Sequence, residues 1–258
     1  MIEVEVDSNG VATVTLNRPA IHNAFDDTMI AALTNAFQQA GDDGQVRALV
    51  LAAAGKSFSA GGDLNWMRRM ASYSHEENLR DADMLAIMLR TLNYLPKPTI
   101  ARVQGAAFGG GVGLVSCCDM AVATSRASFC LSEVKIGLIP ATISPYVVRA
   151  IGERAARRYF TTAERFSATT ALKLGLVSEL AEHDQLDDCI SGLVECLLNN
   201  GPEAITKAKQ LVFDVAGREV NDTLVASTSR AIADVRGSAE GQEGLTAFLE
   251  KRKPNWIR

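Results

Sequence analysis

The chain has 258 residues, enough for one large domain with a substantial core, and its balance of 47% hydrophobic to 22% charged residues excludes a disordered or membrane-embedded chain. A formal net charge of -4 removes the overall basic field that draws proteins onto nucleic-acid phosphates, so nucleic acid is not an expected partner. Five cysteines, Cys117, Cys118, Cys130, Cys189 and Cys196, lack metal-type spacing and read as buried reduced thiols, and the N-terminus carries no signal-peptide pattern, so a reducing cytoplasm with no membrane partner is expected.

Residues Ile2 to Val6 alternate apolar and acidic, Ser8-Asn9-Gly10 supplies turn chemistry, and Val11 to Leu16 resumes the alternation, which predicts a β-hairpin. Asp26 and Asp27 open a helix-periodic run through Met29, Ile30, Leu33 and Phe37. Arg47 to Ala52 is a short apolar strand. Lys56 to Leu64 is a loop of small residues, followed by a helical piece in which Trp66, Met67 and Met70 read as pocket wall. A longer helix is expected from Glu76 to Leu95, ended by Pro96 and Pro98, then a buried strand from Thr99 to Val103. That strand runs into Gly105-Ala106-Ala107-Phe108-Gly109-Gly110-Gly111 and a helix from Val112 to Cys118. Short strands are expected around Ala121 and Phe129, and from Glu153 onward the pattern is helical, with breaks at Gly175, Gly201-Pro202 and Gly217. A boundary near Asn199 to Pro202 divides residues 1–198, an α/β body, from residues 199–258, a helical region.

Two glycine-rich loops can bring backbone N–H groups close to a ligand, one at Phe58 to Leu64 and one at 105–111, the second at a helix start with its positive dipole end. Neither carries a dinucleotide or P-loop spacing. If the fold joins them, they form an oxyanion hole. Glu133 stands among Val134, Ile136, Leu138 and Ile139, and is either paired with a cation such as Lys135 or held with a raised pKa for proton transfer. His22, His75 and His183 have no metal-type spacing and no Gly-x-Ser-x-Gly elbow occurs, so neither a metal nor a serine triad is expected.

Taken together, Phe58-Ser-Ala-Gly-Gly-Asp-Leu64, Pro98-Thr-Ile-Ala-Arg-Val-Gln-Gly-Ala-Ala-Phe-Gly-Gly-Gly111, Cys118-Asp-Met120, Glu133 with Gly137-Leu-Ile-Pro140, and Ala247-Phe-Leu-Glu-Lys-Arg-Lys253 resemble the enoyl-CoA hydratase/isomerase (crotonase) superfamily. With Asn17-Arg-Pro19 the resemblance spans nearly the whole chain. Phe129-Cys-Leu-Ser-Glu-Val134 and Ile139-Pro-Ala-Thr-Ile-Ser-Pro-Tyr-Val147 are further similar to the methylglutaconyl-CoA hydratase branch of leucine breakdown. The resemblance implies an α/β spiral of ββα repeats whose C-terminal helices build a homotrimer or homohexamer. It implies an acyl-CoA thioester substrate, with coenzyme A part of the substrate and no separate cofactor. It places the oxyanion-hole amides at Gly62 and Gly110 and the proton-transfer carboxylate at Glu133. Coenzyme A would contact Ala60, Gly61, Asp63, Leu64, Phe248 and Lys251.

Three departures stand against the family pattern. Hydratases of this type often carry a first glutamate two residues after Gly-Gly-Gly, where this chain has Gly113. Ala141-Thr142-Ile143-Ser144 replaces a glycine-rich run, and Ala20 and Ile21 replace a basic residue. The expected activity is addition of water to a branched or carboxylated 2-enoyl-CoA, with Ser144, Ser132 or the substrate's own carboxylate orienting the water. The rivals are a Δ3,Δ2-enoyl-CoA isomerase, which needs one carboxylate, and a non-catalytic acyl-CoA- or RNA-binding member.

Overall fold

The computed structural model describes residues 1–257. The hairpin forms as β1 (Ile2–Val6) and β2 (Val11–Leu16), with Val4 opposite Val14. Helix α1 (Asp27–Asp42) follows, its first turn closed by Asp26, whose carboxylate accepts from Met29 N at 2.9 Å. Its buried face is Met29, Ile30, Leu33, Ala36, Phe37 and Ala40, the stripe the periodicity predicts.

Three units then repeat one pattern: a strand in a large sheet, a short strand in a second sheet, then helix. The first is β3 (Ala48–Ala53), β4 (Ser57–Ser59), α2 (Leu64–Met70) and α3 (His75–Asn93). The second is β5 (Thr99–Val103), β6 (Ala106–Phe108) and α4 (Gly110–Cys117). The third is β7 (Met120–Thr124), β8 (Ser128–Cys130) and α5 (Ser144–Thr162). The chain continues through β9 (Phe166–Ser167), α6 (Ala168–Leu174), β10 (Glu179–Ala181) and α7 (Leu186–Leu198). The sheets run β1-β2-β3-β5-β7-β10 and β4-β6-β8-β9, so each turn adds one strand to each sheet, which is the ββα spiral.

Alternation along the large sheet decides what each face touches. Leu49, Leu51, Ala101, Val103, Ala121 and Ala123 enter the main core with α1, α3, α4 and α5, whereas Val50, Ile100 and Val122 point to the other face, under Leu186 and Ile190 of α7. Strands buried on both faces read as continuous apolar runs, as Ala48–Ala53 does. At the turn into β6, Gly105 lets its backbone approach Lys56 O so closely that any Cβ would overlap it, which stacks successive corners of the spiral.

The C-terminal helices are α8 (Pro202–Val215), α9 (Asp222–Gly237) and α10 (Ala239–Leu249). Lys209 anchors α8 to the body through Asp119 at 2.8 Å and Lys97 O at 3.1 Å. Glu240 of α10 accepts from Glu203 N and Ala204 N at the start of α8. Among the described residues no helix is long and apolar enough to cross a membrane.

Several sequence expectations are corrected. Helix α5 starts at Ser144, ahead of the expected Glu153, with Pro145 in its first turn and a kink where Gly152 takes φ 76°. The short strand β9 interrupts a stretch that reads as helix, β10 follows the expected break at Gly175 where no strand is expected, and α4 begins at Gly110 rather than Val112. Burial of the thiols is partial: Cys117 and Cys130 are buried, Cys118 and Cys189 half-buried, and Cys196 exposed, all five unpaired.

Candidate active site

The site is assembled around Phe25. Its backbone bridges Gly62 as a parallel strand would: Phe25 N donates to Gly61 O and Asp63 N donates to Phe25 O, both at 2.9 Å. Extended backbone alternates direction, so the Gly62 peptide group faces the opposite way, and its N–H meets no acceptor among the described residues. The Phe25 ring, 1% exposed, turns its edge to Gly110, where a Cβ would overlap its Cζ. One residue therefore holds both glycines, by backbone on one side and ring on the other.

Gly110 opens α4, and a first-turn N–H has no partner inside its own helix. The preceding Gly109 takes φ 51° with ψ -121°, a combination open in practice only to glycine, and its own N–H donates to Cys130 O at 2.8 Å. That bond fixes the helix start to β8. Among the described residues the Gly110 N–H meets no acceptor, and it stands at the positive end of the helix dipole.

Glu133 sits in a single 3₁₀ turn, Glu133–Ile136, closed by Gly137 in the left-handed region. Its Oε1 lies 3.2 Å from where a Cβ of Gly109 would stand, which puts the carboxyl beside the α4 start. Oε2 is buried with no hydrogen-bond partner, and no ion pair reaches Glu133 among the described residues, so pairing with Lys135 is corrected. Burial pushes its pKa above the ordinary glutamate value, opposed only by its own backbone N–H.

Gly62, Gly110 and Glu133 line one cavity of about 270 Å³. Trp66, Met67 and Met70 form wall as expected, joined by Leu85 and Ile143. Asp81 and Asn78 of α3 add a polar strip that the sequence pattern does not announce. Ser144 and Ser132, expected to orient water, do not line the cavity, and the Ser144 hydroxyl donates to Ala141 O at 2.7 Å.

The first-glutamate position is closed. A Cβ on Gly113 would overlap Ile143 Cγ2 and stand 2.9 Å from Ile143 Cβ. Ile143, 2% exposed, occupies the volume a larger residue would need. The glycine at 113 and the isoleucine at 143 are therefore one packing solution.

The remaining predicted residues lie along the loop after β4 and at the tail. Ala60 and Leu64 are exposed, Leu64 at 69%. Gly61 is buried with φ 88°. The Asp63 carboxylate caps α2 through Asn65 N at 2.8 Å and Trp66 N at 3.1 Å, and meets Arg18 at 3.5 Å, so it is committed within the fold. Phe248, 81% exposed, and Lys251 lie at the end of α10 and do not line the cavity.

Asn23 braces the loop from beneath. Fully buried in the left-handed region, it donates to Ala54 O and Ser57 O and accepts from Arg18 N at 2.8 Å, while Ser59 Oγ donates to its carbonyl. Replacing Asn23 with alanine strands these buried groups and forces a β-carbon residue without hydrogen-bonding ability into φ 54°. The expected loss is about 3 kcal/mol of stability in urea denaturation.

Two N–H donors and a desolvated carboxyl on one cavity are the groups needed to stabilise negative charge on an oxygen beside a proton transfer. The family model for enoyl-CoA hydratase/isomerase matches residues 6–258. The short-chain-enoyl-CoA hydratase of Clostridium acetobutylicum is 31% identical, over 94% of this chain and 92% of its own. The crystal structure of an enoyl-CoA hydratase from Shewanella pealeana superposes with a TM-score of 0.96 at 48% identity, covering 99% of this chain and 95% of that one. Pseudomonas aeruginosa AtuE does so at 0.95 and 36%, covering 100% and 99%. Sequence match and spiral fold agree across residues 6–258, and the chain belongs to the enoyl-CoA hydratase/isomerase family.

Proposed function

We propose that the chain adds water reversibly across the double bond of a branched or carboxylated 2-enoyl-CoA, with 3-methylglutaconyl-CoA the substrate of choice. The observation that carries the reading is Glu133 Oε2, buried without a partner in a cavity shared with the two free glycine amides. The thioester oxygen sits between Gly62 N and Gly110 N, and each donor contributes about 3 kcal/mol to stabilising the enolate. Glu133 takes a proton from water as the C3–O bond forms and returns one to C2, ending as it began.

The sequence similarity around Glu133 and Ile139 supports the methylglutaconyl assignment, and the strip of Asn78, Asp81 and Thr142 supports an acyl group with a polar end. Coenzyme A follows Ala60, Gly61 and Leu64. Exposed Phe248 and Leu249, at 81% and 77%, with Val220 at 79%, support burial of the helical region 199–258 in a homotrimer or homohexamer, where Phe248 and Lys251 meet coenzyme A. Cytoplasm is the proposed location.

One observation favours a second reading. With Ile143 filling the first-glutamate space, Glu133 is the one carboxylate placed beside Gly109 and the α4 start among the described residues, which is all that moving a double bond from C3 to C2 requires. The test is loss of 2-enoyl thioester absorbance with 3-methylglutaconyl-CoA, beside crotonyl-CoA and a 3-enoyl-CoA. Saturable loss with the first is the expected result. Gain of conjugation from the 3-enoyl-CoA alone would make the chain an isomerase.

A further inference from the structure

The acyl cavity holds a second carboxyl that the hydration chemistry leaves unused. Asp81, on α3, is 8% exposed and lines the same cavity as Glu133. Its Oδ1 accepts from Trp66 Nε1 at 2.9 Å, and Oδ2 has no hydrogen-bond partner among the described residues. Among the described residues, no lysine, arginine or histidine lines this cavity.

The Trp66 indole sets where Asp81 lies along the substrate. Its Cε3 edge is 3.5 Å from where a Cβ of Gly62 would stand, and its Nε1, on the other ring, reaches Asp81. Asp81 is thus separated from the oxyanion glycine by the width of an indole and a hydrogen bond. That distance matches the far end of a short acyl chain, beyond the carbons where water and proton add. Asn78, one turn earlier, spends its side-chain amide on Tyr73 O and Ser74 O at 3.2 and 3.1 Å. The Asn78 Oδ1 can only accept, so Asp81, once protonated, and the Thr142 hydroxyl are the lining groups there able to donate to a carboxylate.

We propose that Asp81 is the specificity-determining residue of the acyl pocket and that its carboxyl shares one proton with a carboxylate at the distal end of the acyl chain, an assignment that rests on the carboxylated-substrate reading above. Two carboxyl groups in contact cannot both stay ionised, and one proton between them makes a strong bond without a cation. Desolvation raises the Asp81 pKa, and Asp27 adds to the effect, while the Trp66 N–H and Arg69 oppose it. Glu133 is the other ionisable group facing this space. A wall built this way accepts a carboxylate at lower pH and repels it as Asp81 ionises.

The experiment compares kcat/KM for 3-methylglutaconyl-CoA and 3-methylcrotonyl-CoA, which differ only in the distal carboxyl, across pH for the parent chain, Asp81→Asn and Asp81→Leu. The parent is expected to favour the carboxylated member by about tenfold or more, with KM for that member rising as pH rises. Asp81→Asn keeps an N–H donor, so it retains the preference and loses its pH dependence. Asp81→Leu brings the ratio toward one, chiefly through KM. A preference that survives Asp81→Leu, or a preference in Asp81→Asn as pH-dependent as the parent's, overturns the assignment of Asp81 alone. A parent chain without preference for the carboxylated member overturns the substrate reading instead.

Discussion

Replacing Glu133 with glutamine lowers turnover on the order of 10³-fold, with little change in KM, while the protein becomes slightly more stable. The two effects share one cause. Burial leaves Oε2 without a partner and raises the folded-state pKa above that of an unfolded glutamate. Between those two values the folded state binds more protons than the unfolded state, so stability falls as pH rises through that window. Glutamine cannot ionise and escapes the penalty, and the expected reading is a raised urea midpoint at neutral pH. The same raised pKa places the acid limb of the kcat/KM profile above the ordinary glutamate range, because the ionised form accepts the proton from water. Unchanged turnover in the glutamine variant would remove Glu133 from the mechanism.

How far the sequence announces this site depends on what each residue answers to. Gly109, Gly110 and Glu133 are legible because their constraints are local: a strand-to-helix turn, a free N–H, a carboxylate in an apolar stretch. The helix stripe of α1 and the continuous apolar run of β3 are legible for the same reason. Phe25, Asn23 and Asp81 act through partners distant in sequence. Phe25 reaches Gly62 and Gly110, Asn23 reaches Ser57, and Asp81 reaches Trp66 on the preceding helix of the same unit. No periodicity marks such residues. Strands β9 and β10 escape because two or three residues carry no usable alternation and exist only through pairing with β8 and β7. Proline at the start of α5 and glycine at its kink suggest interruption, where the structure uses one to begin the helix and the other to bend it.

The pairing of Gly113 with Ile143 yields the other large effect. Introducing glutamate at 113 alone pushes its Cβ into Ile143 and its carboxylate into a wall that already excludes water. Overpacking of this kind typically costs about 1–3 kcal/mol, and burying an unpartnered charge adds to it. The expected single variant is strongly destabilised, by about 3 kcal/mol or more, and has no measurable turnover. Truncating the blocking residue as well, Gly113→Glu with Ile143→Ala, opens the volume beside the first-turn N–H groups of α4. The double variant is expected to regain about 2 kcal/mol in urea denaturation relative to the single one, a coupling far from additive, because Ile143→Ala alone creates a cavity and destabilises. With two carboxylates facing the oxyanion glycines, it should also hydrate crotonyl-CoA faster than the parent, one carboxylate holding water and Glu133 protonating C2. Additive stabilities would mean that Ile143 does not occupy the glutamate space. Recovery of stability without faster crotonyl-CoA hydration would mean that Glu133 alone already handles water as well as a pair can.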